Sequence, residues 1–240
     1  MSNGIYVALS KQTALFRHLD VVANNIANAD TVGKKQDQVL YQQYIVKQPT
    51  KHDVSFANDV KTFRNEANGA TQVTNRPLDI AIEGPGYFAI QTPNGIRYGR
   101  AGNFKLDQNM QLTTFDSNPV LDINNNPIVF EQNDKNISID ERGFIRSNIR
   151  EIGQIAILDF PDQQSLESIG NNLYRTEQIP NLATNFRVTQ FALEGSNVES
   201  VRELTNMITI QRDNELTANI LNILEQLEQQ SVESLAKTVK

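Results

Sequence analysis

Over the first thirty residues, apolar side chains recur at spacings of three and four: Ile5, Leu9, Phe16, Leu19, Ala23 and Ile26, broken at Gln12. That period predicts one amphipathic helix over residues 1–30 whose apolar stripe forms a seam for another helix. The pattern stops at Asn28, and Gly33 follows where a left-handed residue could end the helix. At the other end, Ser196 and Glu199 stand three apart, the spacing of a capping box. Val201, Leu204, Ile208, Leu216, Ile220, Ile223 and Leu227 then mark a second stripe, interrupted by Arg212. A helix of that length exceeds the usual globular range of roughly 8 to 20 residues and suggests a coiled coil or a helical stack.

Between the two helices the period falls to two. Leu78, Ile80 and Ile82 alternate with Asp79, Ala81 and Glu83; turns follow at Gly84-Pro85-Gly86 and at Asn94-Gly95, a hairpin signal. "NISIDERGFIR" and "IGQIAILDF" repeat the pattern. The expected fold class is therefore a mainly β central domain with long N- and C-terminal α-helices that pair as a coiled coil. The expected organisation is an N-terminal helix over 1–30, an extended connector over 31–70 with a short strand at 39–46, a β-rich domain over 71–188, and a C-terminal helix over 189–240. A single helix pair leaves Val7, Leu15 and Val22 uncovered, so further copies of the pair are expected to bury them. The N-terminal segment is slightly basic and the C-terminal helix acidic, which favours their association.

Composition narrows the function. The 240 residues carry a net charge of −6 and no cysteine. A pI near 5.0 speaks against nucleic acid as the main partner, because phosphate binding needs a concentrated basic face. Without cysteine there are no disulfides, thiolate zinc sites or cysteine nucleophiles. The mean hydropathy of −0.43 fits a soluble chain, and no stretch approaches the roughly 18 consecutive apolar residues of a membrane helix. Nor does the opening segment have the layout of a cleaved signal peptide.

Candidate chemistry is sparse. His18 and His52 lie far apart in sequence and give no triad or metal set. Asp79 and Glu83 could be imagined as glycosidase carboxylates, but solvent-facing alternation in a half-buried strand is the expected reading. Lys34 and Lys35 read as a solvated loop. No cofactor, metal, small-molecule substrate or catalytic group is expected. The asparagines are the unusual feature: Asn24 and Asn28 are one helical turn apart beside the apolar seam, and a buried amide next to a seam can fix the register of helices. Asn24, Asn25 and Asn28 are therefore expected at contacts with neighbouring subunits, the alternative being that they cap a fraying helix end.

"VVANNIANADTVG" together with "LEGSNVESVRELTNMITIQR" resembles the paired terminal signatures of the flagellar axial proteins, the rod, hook and hook-junction family. "LDIAIEGPGYFAIQTPNGIRYGRAGNFKLDQNMQL" and "IGQIAILDFPDQQSLESIGNNLYRT" are similar to the central segments of the rod and hook subunits. The length and the opening "IYVALSKQTALFRHLDVVANNIAN" are nearest to the proximal rod subunits, with the distal rod subunits close behind. Two departures stand out: Lys34 occupies a position where the family usually has Phe, and Arg212-Asp213-Asn214-Glu215 replaces the usual Arg-Ala-Tyr-Glu.

The resemblance implies a structural subunit of the basal-body rod, a hollow helical drive shaft that crosses the periplasm and transmits torque. Its implied partners are copies of itself, other rod subunits and the flagellar type III export apparatus, with export through that apparatus and no cleaved signal. Subunit contacts are then expected at the two apolar stripes and the asparagine-rich motifs, including Asn197 and Arg212. A secreted coiled-coil adhesin or scaffold is the alternative, and a β-domain hydrolase with oligomerisation arms is a third reading.

Overall fold

A computed structural model of the chain describes residues 2–46 and 54–238, with side-chain packing for 4–41, 61–231 and 233–234. It separates into two compact units. The first comprises Met1–Ala27, Asp37–Arg64 and Glu199–Lys240; the second comprises Asn28–Gln36 and Asn65–Val198.

The first unit holds helix α1 (Ser2–Ala27), helix α2 (Ser200–Thr238) and an antiparallel hairpin of β1 (Asp37–Val46) and β2 (Val54–Arg64). β-Branched and aromatic residues on both strands account for the hairpin, which stands where the sequence suggests a connector. A register shift between Gln42 and Gln43 marks a bulge in it.

In the second unit the sequence alternation becomes antiparallel sheet. Strand β3 spans Thr71–Val73, β4 Ile80–Glu83, β5 Tyr87–Thr92 and β6 Gly95–Gly99. The β5–β6 hairpin pairs Thr92 with Gly95 across a two-residue loop, and Gly95 has φ +102°, a conformation that glycine adopts without strain. A six-stranded sheet runs in the order Glu167–Gly170, Leu173–Arg175, β6, β5, Ile157–Asp159, Asn181–Leu182, antiparallel throughout. Strand β4 pairs with Arg187–Gln190, and β3 with Ala192–Glu194, so the last strands before α2 close back on the first ones.

The core follows from this pairing. Ile80, Ile82, Phe88, Ile90, Phe104, Leu112, Ile145 and Ile155 are all buried in one cluster. A second, aromatic cluster stacks Tyr98 on Phe160 and Tyr87 on Tyr174 in edge-to-face geometry, with centroids 4.7 and 5.7 Å apart.

Several expectations need correction. The terminal helices do not pair as a coiled coil: the heptad-like stripe of α2 faces solvent, and α2 meets α1 through other residues, Met207 and Ile210 among them. Helix α1 stops at Ala27, so Gly33 is not its cap. Gly33 nonetheless has φ +68°, and a Cβ there would lie 2.7 Å from the Arg100 carbonyl carbon, so close backbone approach is what requires glycine. Ser196 and Glu199 form no capping box, because α2 begins at Ser200 and Ser196 Oγ instead accepts the nearby N–H of Val198. Asp79 is buried, since β4 is covered on both faces, and only Glu83 remains at the surface.

Candidate functional site

Helices α1 and α2 run antiparallel. Near one end a Cβ on Gly4 would meet Leu224 Cδ1 at 3.7 Å, and near the other Asn25 bonds to Glu203. Leu15, Val22 and Ile210 are buried between them, with Leu19, Ile26 and Met207 packed alongside. On α2 the covered positions also include Glu203 and Thr217, so this face is only partly apolar.

The stripe predicted on α2 lies elsewhere. Val201, Leu204, Ile208, Leu216, Ile220, Ile223 and Leu227 are all between 48% and 76% exposed. Arg212, in the middle of that stripe, is exposed too. The stripe predicted on α1 divides: Leu9 and Phe16 face outwards, joined by Tyr6, while Ile5, Leu19, Ala23 and Ile26 are half-buried. Exposed apolar area on this scale is costly in water and marks an interaction surface.

The asparagines separate by role. Asn24 is exposed and Asn28 half-buried, its Oδ1 accepting the Thr31 hydroxyl at 3.3 Å. Asn25 is 1% exposed and buried within its own subunit. Its Nδ2 donates to the Asp37 carbonyl at 2.7 Å and to Glu203 Oε2 at 3.2 Å, and its Oδ1 accepts the Asp37 N–H at 3.0 Å. The amide thus acts as a strand partner for the first residue of β1 and joins three elements, α1, β1 and α2.

Asn197 performs the corresponding task in the second unit. Its Oδ1 accepts the Gln36 N–H at 2.6 Å, while its Nδ2 donates to the carbonyls of Asn65 and Ala67. Beside it lies a buried ionic cluster. Glu194 takes Lys35 Nζ at 2.7 Å on one oxygen and Arg100 Nε at 2.5 Å on the other. Arg100 also donates to the carbonyls of Gly86, Ile82 and Gly84, and Lys35 to that of Ala67. Lys35 is therefore no solvated loop residue: the Gly33 N–H on the Glu194 carbonyl and the Lys35 ammonium on its carboxylate dock the 28–36 segment. Burial lowers the pKa of Lys35, and the Glu194 charge partly restores it.

His18 is half-buried on α1, with Nδ1 2.6 Å from the Tyr41 hydroxyl and the rings edge-to-face at 5.7 Å. Burial holds its pKa below the usual 6.5, and the carboxylate of Glu203 opposes that shift. His52 lies outside the described residues. Among the described residues, no group of three or more His, Asp or Glu could hold a metal ion, and no helix is long and apolar enough to cross a membrane.

Among the missed residues Lys35, Arg100, Glu194 and Glu203, Glu194 directly follows the apolar run Phe191-Ala192-Leu193, whereas Lys35, between Lys34 and Gln36, and Arg100, between Gly99 and Ala101, carry no such local signal.

Residues 5–35 match the flagella basal body rod protein family, residues 81–147 the flagellar hook protein FlgE/F/G D1 domain, and residues 189–234 the flagellar basal body rod FlgEFG protein C-terminal family. The chain is 34% identical over 243 residues to the flagellar basal-body rod protein FlgF of Caulobacter vibrioides, covering 99% of both. It is 34% identical to FlgF of Mesorhizobium japonicum, covering 92% of each, and 31% identical to the rod protein FlgG of Bacillus subtilis, covering 97% of this chain and 98% of that one. The chain belongs to the flagellar basal-body rod protein family. It is a structural subunit of that rod.

Two predictions follow from the buried groups. Glu194→Gln leaves two buried cations around a neutral amide and is expected to cost about 3–5 kcal/mol of stability, whereas exposed Glu83→Gln stays within about 0.5 kcal/mol; urea denaturation of both variants decides it. For His18, a folded-state pKa below the unfolded value means that the unfolded chain binds the proton more tightly. Stability contributed by neutral His18 is thus present above about pH 6.5 and is lost as pH falls from there towards the folded pKa. An NMR titration should place its midpoint below 6.5, and His18→Phe should flatten the loss of stability over that range.

Proposed function

We propose that the chain polymerises through its terminal helices into the wall of a hollow helical shaft that crosses the periplasm, transmits torque and performs no catalysis. The carrying observation is the outward stripe of α2, seven large apolar side chains that the subunit's own fold leaves uncovered. A chain that folds alone would bury this stripe or replace it with polar residues. Neighbouring copies and other rod subunits supply the cover, through heterologous contacts that generate a helix because they do not close.

Within the rod family, the identity to FlgF proteins over nearly the full chain favours the proximal position. The N-terminal segment lies inside the match to the rod family and forms a working helix of the subunit, which supports export by the flagellar type III apparatus with this segment retained. Asn24, Asn28, Arg212 and the outward apolar residues of both helices are the proposed subunit-contact positions, with Asn25 and Asn197 each ordering the fold of its own unit.

Replacing Ile220 and Ile223 together by Glu tests this reading. Both are already exposed in the isolated chain, so the variant should fold like the wild type and keep its urea midpoint. It should nonetheless be missing from isolated basal bodies and fail to restore motility to a strain lacking the protein. Normal motility would overturn the reading.

A further inference from the structure

The outward faces of the two helices match each other in sequence. Along α1 they present Tyr6, Leu9, Phe16 and Asp20; along α2, Arg212, Leu216, Ile223 and Leu227, all exposed. Going backwards from Asp20 the steps are four residues to Phe16, seven to Leu9 and three to Tyr6. Going forwards from Arg212 they are four to Leu216, seven to Ile223 and four to Leu227. Laid antiparallel, the two faces pair Asp20 with Arg212, Phe16 with Leu216, Leu9 with Ile223 and Tyr6 with Leu227.

We infer that the outer face of α1 in one copy docks on the outer stripe of α2 in a second copy of this chain, antiparallel, with the Asp20–Arg212 ion pair setting the register. This rests on the reading of the chain as a polymerising rod subunit and names the partner of its exposed stripe. Charge complementarity selects the occupant: Arg212 is the one cation interrupting an apolar stripe, and Asp20 is the anion at the matching end of the other. A single polar pair in an apolar seam specifies register at some cost in affinity.

The in-chain contact supplies the direction. Within one subunit Gly4 lies by Leu224 and Asn25 by Glu203, which sets Asp20 level with position 208. The intermolecular register moves it to Arg212, a slip of one helical turn, or about 6 Å at 1.5 Å per residue. Copies related by a small displacement keep their helix directions, so α1 of one remains antiparallel to α2 of the next. The contact is heterologous, since each copy offers two different faces, and it therefore propagates without closing.

The absence of cysteine allows a direct test. Single-cysteine variants F16C and L216C, co-expressed in a strain lacking the native protein, should give a disulfide-linked dimer in oxidised basal bodies. The doubly substituted chain should give a ladder beyond the dimer. F16C with I208C, the pair adjacent in a parallel arrangement, should give none. Asp20→Arg and Arg212→Asp should each reduce the F16C–L216C product several-fold, and combining them should restore it. Basal bodies that contain both single-cysteine chains without the product, or that link F16C to I208C instead, overturn the docking while leaving the rod assignment standing. Absence of even the cysteine-free chain from basal bodies would overturn the rod assignment together with the docking built on it.

Discussion

A helix can turn only part of its surface towards one partner, and in this chain the partner inside the subunit takes the less apolar part of α2. Glu203, Ile210 and Thr217 go inwards, and the row from Val201 to Leu227 stays in water. The other features of the terminal helices follow from that choice. A seam containing a carboxylate and a threonine hydroxyl gives limited hydrophobic stabilisation, roughly 25 cal/mol per Å² of apolar area covered. The helices therefore combine polar anchoring at one end with an uncovered apolar face along α2.

Asn25 is the polar anchor. By bonding both backbone groups of Asp37 and the carboxylate of Glu203, it fixes where the hairpin leaves α1 and where α2 begins its run beside it. In the β-rich unit, Asn197 and the Lys35–Glu194–Arg100 cluster do the same for the 28–36 segment. Buried ionic groups of this kind contribute little net stability compared with an apolar replacement, but removal of one member is expensive, so they define a single arrangement of the segments they join. For a subunit whose outer surfaces must meet neighbours at fixed angles, that uniqueness matters more than a few kcal/mol.

Much of this was legible in the sequence. The change of period from 3.6 to two located both helices and the β-rich region, and the shared motifs led to the rod family. The β5–β6 hairpin was marked by Asn94-Gly95. Hidden from pattern reading were the features that depend on which side of an element is covered. The stripe of α2 showed correctly as apolar, but its period could not tell whether its partner was α1 of the same chain or another molecule. Asp79 looked solvent-facing because alternation assumes one wet face, and β4 has none. The hairpin at 37–64 was obscured by the glutamines of β1 and the polar residues of β2. Lys35 read as a solvated loop residue and Asn25 as a contact to a neighbouring subunit because nothing local indicated the buried carboxylates beside them.

The central claim is that the outward faces of the terminal helices are completed by other molecules. Hydrogen exchange on the purified chain and on the same chain within isolated basal bodies measures this directly. Completion from outside predicts amides in α1 and α2 that exchange fast alone and become strongly protected in the basal body, while those in the β-rich unit, such as Phe88 and Ile145, are protected in both. Helices equally well protected in the dilute monomer would show that the subunit completes itself, and would contradict the account.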